Sequence, residues 1–133
     1  MALPVSVCSW SRIVPTLAIS VEKVVSIERE PALAEHASAT LRRLGYDNVE
    51  VAVGDGSLGW PAEAPYQVIL VAAAAADVPQ ALVDQMAEGG RMVIPVAISS
   101  DDPQDLRLYT RRAQGVVYRS LFPVLFVPLR PGS

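Results

Sequence analysis

The sequence predicts an α/β domain built on a parallel sheet, followed by an antiparallel hairpin. Three observations carry that prediction. From Val24 onward, short β-branched runs alternate with apolar residues at helical spacing. Acidic or glycine-containing punctuation closes the runs, at Glu28 and at Gly54-Asp55-Gly56. Beyond Leu106 the pattern changes to two long runs separated by Gly115, the sign of a hairpin.

Val24-Val-Ser-Ile27 is a short strand ending at Glu28. Pro31 suits the first turn of a helix, and Leu33, Ala34, Ala37, Leu41 and Leu44 then recur at helical spacing. Arg42 and Arg43 stand in its last turn, and Gly45 offers a cap. Val49 to Val53 is the next strand, and Gln67 to Val71 is a buried one that runs into five alanines, Ala72 to Ala76. Flanking strand residues favour reading those alanines as a tightly packed strand end. Asp77 and Pro79 open a second helix with Leu82, Val83 and Met86 on its apolar face, and Gly89-Gly90 closes it. Arg91 to Val96 is a further strand, and Leu106–Arg111 with Val116–Val127 form the hairpin turning at Gly115.

The 133 residues allow one domain, read as a divergent segment over 1–23 followed by an α/β domain over 24–133. With 51% hydrophobic and 19% charged residues, the chain is not a disordered linker. Its net charge of -3 and the lack of a basic stripe argue against nucleic acid. One cysteine and one histidine cannot assemble a zinc site, and a single cysteine makes no intrachain disulfide. The longest apolar run, Val68 to Ala76, is too short to cross a bilayer as a helix. Met1 to Cys8 lacks the basic start of a secretion signal, so a cytoplasmic monomer is expected, with no membrane partner.

Ligands of an open parallel sheet sit at the carboxyl ends of its strands. Glu28 falls there, and a carboxylate at that position can accept both hydroxyls of a ribose. Asp55 can take an exocyclic amine while Gly54 and Gly56 let a flat ring approach the backbone. Ala72 and Ala73 leave room beside such a ligand. Each residue also has an ordinary structural reading. Glu28 is then a solvated acid, Gly-Asp-Gly a plain turn, and the alanines packing. His36 reads as a surface residue and Cys8 as inert.

In order along the chain, Val25-Ser-Ile-Glu-Arg29, Leu44-Gly-Tyr-Asp-Asn-Val-Glu-Val51 and Gly54-Asp-Gly-Ser-Leu-Gly-Trp-Pro61 closely resemble protein-L-isoaspartate O-methyltransferases. Ala64-Pro-Tyr66, Gly89-Gly-Arg-Met-Val-Ile-Pro-Val96 and Leu121-Phe-Pro-Val-Leu-Phe-Val-Pro-Leu129 extend the resemblance. It implies a Rossmann-like class I methyltransferase sheet with a C-terminal antiparallel hairpin. It also implies S-adenosylmethionine as methyl donor and the free carboxylate of L-isoaspartyl residues in damaged proteins as acceptor. By the same resemblance Glu28 would hold the cofactor ribose, and Gly54, Asp55 and Gly56 would frame its adenine. Val127, Pro128 and Leu129 would line the groove for the damaged peptide. Such chemistry needs no protein nucleophile or metal, because the carboxylate is already ionised and alignment supplies most of the rate.

The sequence departs from that family upstream. A loop of the form Gly-Thr-Gly-Ser-Gly should fall near Val7, Ser9 and Ser11, yet no glycine precedes Gly45. The family's Ser or Thr near the transferred methyl has no counterpart either. Leu3, Val5 and Val7 alternate as a strand would, but Pro4 is disfavoured in a central strand. The first strand is therefore expected to be degenerate or missing. The chain is expected to be N-terminally incomplete, its first twenty or so residues a frame-shifted translation: with suitable codons, Trp10 to Pro15 reads Gly-Ala-Gly-Ser-Tyr-Gln one base later. Impaired activity is the corresponding expectation, with a non-catalytic remnant as the alternative. A nicotinamide-dependent oxidoreductase ranks last, since it too needs a glycine loop.

Overall fold

The computed structural model describes residues 2–6, 22–99 and 102–126. One seven-stranded sheet organises them, in the order β3-β2-β1-β4-β5-β6-β7. The strands are β1 (Ala2–Ser6), β2 (Lys23–Glu28), β3 (Val49–Val53), β4 (Tyr66–Val71), β5 (Met86–Val96), β6 (Gln104–Arg112) and β7 (Gly115–Val124). The first five are mutually parallel; β6 adds antiparallel to β5, and β7 antiparallel to β6. The strand order reverses between β1 and β4, which makes the carboxyl ends there the natural crevice for a ligand.

Strand β1 occupies the central slot: of the two expected states, degenerate or missing, the first strand is present, and its short ladder to β4 matches the degenerate one. All five of its residues pair with β2, from Ala2 opposite Lys23 to Ser6 opposite Ile27. Pairing with β4 is confined to Val5–Leu70 and Ser6–Val71. The ladder to β4 thus begins one residue past Pro4, and the residue without a donor lies outside it.

Helix α1 (Pro31–Arg43) begins on Pro31 and ends with Arg42 and Arg43 in its last turn, as the sequence predicts. The Gly45 and Tyr46 amides donate to the Arg42 and Leu41 carbonyls, closing that end. Its buried face is Ala34, Ala37 and Leu41. Leu33 and Leu44 were expected on that face, but they lie 51% and 60% exposed. The alanines bring the helix close to β2 and β3, and the two leucines stand at the margins of the contact.

Helix α2 (Gln80–Asp84) is shorter than its sequence signal, and Met86 belongs to β5 instead. The Arg111 guanidinium of β6 donates to the Val83 carbonyl at 2.6 Å, satisfying a helix-end acceptor. The Tyr66 amide then takes the Gln85 carbonyl at 2.7 Å and draws the chain into the sheet. Met86 is buried in either conformation, so its apolar spacing cannot separate a helix turn from a strand start. Gly89 and Gly90, expected to end the helix, lie inside β5 at a bulge where Tyr66 pairs Met86 and Val68 pairs Arg91. A Cβ on Gly90 would stand 2.7 Å from the Ala87 carbonyl oxygen and 2.9 Å from that of Tyr66. Only a glycine lets the bulge close that tightly.

The core joins Val25, Tyr66, Ile69, Leu82, Met86, Met92 and Ile94 across the sheet. At the amino ends of the strands, Lys23 bonds Glu63 and lies 3.5 Å from Glu50. The hydrogen bond between Lys23 and Glu63 holds the lysine above and the glutamate below their ordinary pKa values. These charges tie β2, β3 and the 3-10 turn Pro61–Glu63 together at the end remote from the candidate site.

Candidate functional site

The carboxyl ends of β2 and β3 place Glu28 beside Gly54-Asp55-Gly56. Glu28 and Val53 are register partners, and the Gly54 amide donates to the Glu28 carbonyl at 3.0 Å. The Glu30 amide donates to Glu28 Oε1 at 3.2 Å, which turns the half-buried carboxylate back over its own strand end. Three residues 26 to 28 positions apart in sequence are therefore neighbours, as the sequence predicts for one edge.

Asp55 caps the 3-10 turn Gly56–Leu58. Its Oδ1 accepts the Ser57 amide at 2.9 Å and the Ser57 hydroxyl at 2.7 Å. The turn-forming reading of Asp55 is thus realised, and it fixes the carboxylate at the edge of the sheet. Gly54 carries no demand from the fold. A Cβ there would meet Ile27 Cγ2 and Trp60 Cζ3 at 3.7 Å, ordinary van der Waals contact, and its φ lies outside the left-handed region. A glycine that the protein interior does not require is what a close-lying flat ligand would need.

The alanines leave β4 at Val71 and cross to the end of β5, where Ala75 bridges Val96. The Ala75 amide donates to the Pro95 carbonyl and the Ala97 amide to the Ala75 carbonyl. Ala72 and Ala73, which follow the end of β4, are buried at 8% and 3% exposure. Val127, Pro128 and Leu129 lie outside the described residues, as do Cys8 and the stretch Val7 to Ser11. His36 is on the exposed side of α1, away from the edge that holds Glu28. Among the described residues no group of three or more His, Cys, Asp or Glu is placed to hold a metal ion. No helix among them is long and apolar enough to cross a membrane.

Two residues absent from the sequence-derived site support this edge. Gln85 Oε1 accepts the Trp60 amide and its Nε2 donates to the Leu58 carbonyl, both at 2.9 Å. The Tyr66 hydroxyl donates to the Trp60 carbonyl. Burial, then the charges of Glu63 and Glu50, pushes the Tyr66 pKa up to about 12, so the phenol remains a donor at neutral pH. The available signal for Gln85 was weak: an amide beside Asp84, between the apolar residues Val83 and Met86.

A parallel sheet reversing at β1/β4, with an acid after β2 and a Gly-Asp-Gly turn after β3, defines a Rossmann-like class I methyltransferase fold. Solved structures share it. A protein-L-isoaspartate O-methyltransferase superposes with a TM-score of 0.87 at 27% identity, over 96% of this chain and 41% of that one. A Plasmodium falciparum structure of the same description, in complex with S-adenosyl-L-homocysteine, superposes at 0.81 and 23% identity, over 97% and 65% of the two chains. The family described as Protein-L-isoaspartate(D-aspartate) O-methyltransferase matches residues 10–133. The protein-L-isoaspartate O-methyltransferase of a Synechococcus strain is 48% identical over 118 residues, 85% of this chain and 48% of its own length. The chain belongs to the protein-L-isoaspartate O-methyltransferase family. It spans about half the length of the curated relatives it matches.

Proposed function

We propose that this chain carries the cofactor half of an enzyme that methylates the free carboxylate of L-isoaspartyl residues in damaged proteins, with S-adenosylmethionine as donor. The carrying observation is the Gly54 amide bonded to the Glu28 carbonyl, which sets the acid and the Gly-Asp-Gly turn side by side at the carboxyl ends of β2 and β3, on one side of the strand-order reversal. The residues present fit an adenosyl group. Glu28 would hold the ribose hydroxyls, Asp55 an exocyclic amine, and Gly54 and Gly56 the face of the ring, with Ala72 and Ala73 beneath. The bound donor supplies a methyl on a sulfonium, which leaves as a neutral thioether when a carboxylate oxygen attacks. The protein's part is alignment and exclusion of water, with no protein nucleophile required. Val127, Pro128 and Leu129 would line the peptide groove. The S-adenosyl-L-homocysteine complex of the Plasmodium falciparum relative supports the donor assignment.

A second reading rests on a specific observation: no glycine precedes Gly45, where the family's cofactor loop would need several. The missing glycines imply impaired activity on the enzyme reading; on the second reading the chain is a non-catalytic remnant that binds no cofactor. Isothermal titration with S-adenosyl-L-homocysteine, with circular dichroism on the same sample, separates the two. Micromolar binding supports the enzyme reading and leads to a methylation assay on an isoaspartyl peptide; no heat from a folded chain selects the remnant. A cytoplasmic monomer completes the proposal, supported by a single cysteine suited to a reducing compartment.

A further inference from the structure

Gln85 is a buried polar side chain to which the proposed function gives no task. It lies just past α2 with 7% of its surface exposed, in contact with an apolar core. A buried amide is unfavourable there unless both of its ends are bonded. Both are, and both bonds leave its own element: Oε1 takes the Trp60 amide 25 residues away and Nε2 gives to the Leu58 carbonyl 27 residues away. Between those two sits Gly59, at φ 64° and ψ -153°, with the amide laid against its Cα. A Cβ on Gly59 would stand 2.2 Å from Gln85 Oε1 and 2.8 Å from Nε2.

The clamp extends toward the site. Tyr66 donates its amide to the Gln85 carbonyl and its hydroxyl to the Trp60 carbonyl, so the start of β4 holds the same loop from a second side. Trp60 in turn approaches within 3.7 Å of the space beside Gly54, and the turn capped by Asp55 ends at Gly59. The loop from Gly54 to Trp60 is therefore fixed at its far end by the Gln85 amide, with the Tyr66 hydroxyl also bonded to Trp60.

We propose that Gln85 is a positioning residue for the adenosyl group: it touches no ligand, and it sets the 54–60 loop so that the Asp55 carboxylate is held where the cofactor needs it. The proposal rests on the cofactor reading of Glu28 and Gly54-Asp55-Gly56. An apolar residue at position 85 would remove both of its bonds to the loop and leave only the Tyr66 hydroxyl holding Trp60.

Gln85→Met keeps the length and removes both bonds; Gln85→Glu keeps an acceptor for the Trp60 amide and loses the donor. Affinity for S-adenosyl-L-homocysteine is measured by titration on the native chain, both variants, Asp55→Ala and the Asp55→Ala/Gln85→Met pair. Hydrogen exchange at the Trp60 amide is followed in each. Gln85→Met is expected to weaken binding on the order of tenfold, with faster Trp60 exchange and an unchanged circular dichroism spectrum. Gln85→Glu should fall between, and it carries the test if Gln85→Met does not fold. In the Asp55→Ala background Gln85→Met should change the affinity no further, which a generally structural role would not produce. Native affinity in the Gln85 variants, or losses that multiply in the pair, overturns the proposal. A native chain that binds nothing fails the cofactor reading itself; slow Trp60 exchange in that chain, lost in Gln85→Met, then identifies a clamp that serves only the fold.

Discussion

Gly59→Ala tests the clamp by steric load rather than by deletion. Gly59 has φ 64° and ψ -153°, a region open essentially to glycine alone. Forcing alanine into it costs about 1–3 kcal/mol of backbone strain. The new methyl would also lie 2.2 Å from Gln85 Oε1 and 2.7 Å from Cδ. A flexible surface side chain would swing away, but Gln85 is buried and doubly bonded. Its retreat leaves the Trp60 amide and Leu58 carbonyl short of partners, about 1–3 kcal/mol more. The total is about 2–6 kcal/mol, a large share of a typical stability of roughly 5–15 kcal/mol. For a chain of this length that lowers the melting temperature by roughly 6–24 °C. Thermal unfolding of Gly59→Ala, Gln85→Ala and the double variant reads the effect. With Gln85 shortened the clash is gone, so the double variant should be more stable than the summed losses by about 1–3 kcal/mol. A Gly59→Ala chain that melts with the native one, or strict additivity in the double variant, refutes the reasoning.

Gly54→Ala should do the opposite: stability within about 0.5 kcal/mol of native, because only ordinary contacts await the methyl, but weaker S-adenosyl-L-homocysteine binding by about 1–3 kcal/mol if a ring lies against it. Titration and a melting curve together check both halves, and native affinity would remove Gly54 from the site. Asp55→Ala should lose about 0.5–2 kcal/mol of stability as a turn cap and about 1–3 kcal/mol of S-adenosyl-L-homocysteine affinity. An unchanged dissociation constant would leave Asp55 as a turn former alone. At the hairpin, the Arg107 guanidinium, then the Ser120 hydroxyl, holds Asp105 below the usual carboxylate range. Because folding lowers that pKa, its contribution is present above the ordinary value of about 3.9 and is lost as pH falls through the lower folded value. Asp105→Asn should therefore flatten the acid limb of stability below about pH 4, measured by denaturation across pH; an identical limb would show that the Asp105–Arg107 pair is not linked to folding.

The parts of the fold that were legible in sequence are those where local chemistry and tertiary demand agree. Pro31, the Arg42-Arg43 end and the β-branched run Val49–Val53 each specify one conformation locally, and the structure keeps all three. Met86 and Gly89-Gly90 were misread because their outcome is decided from outside the segment. Arg111 from β6 satisfies the end of α2, Tyr66 draws Gln85 into the sheet, and the bulge needs a glycine at 90 for contact with backbone far away in sequence. Pro4 was weighed as though it met both neighbours of a central strand, whereas the β4 ladder starts only at Val5. In the candidate site, Glu28 and the Gly54-Asp55-Gly56 turn could be picked out because each closes a β-branched run, although the sequence leaves each of them an ordinary structural reading as well. Gln85 left only a weak sequence signal, because its partners are backbone groups 25 and 27 residues away, which no side-chain pattern announces.

The two readings of Asp55, turn former and ligand contact, do not compete. A carboxylate that had to be ordered by its ligand would lose affinity to that ordering, whereas one already fixed by Ser57 meets the ligand with little left to immobilise. The same argument assigns different duties to the glycines of this loop. Gly59 is required by the protein, since its conformation and the Gln85 amide leave no alternative; Gly54 is not, and its missing side chain has value only to something outside the chain. If both substitutions proved equally destabilising, the loop would be ordinary core-bound structure and the case for a cofactor at this edge would lose its physical basis. A stable Gly54→Ala that binds poorly, beside a Gly59→Ala that melts early, would locate the boundary between scaffold and site within five residues of the chain.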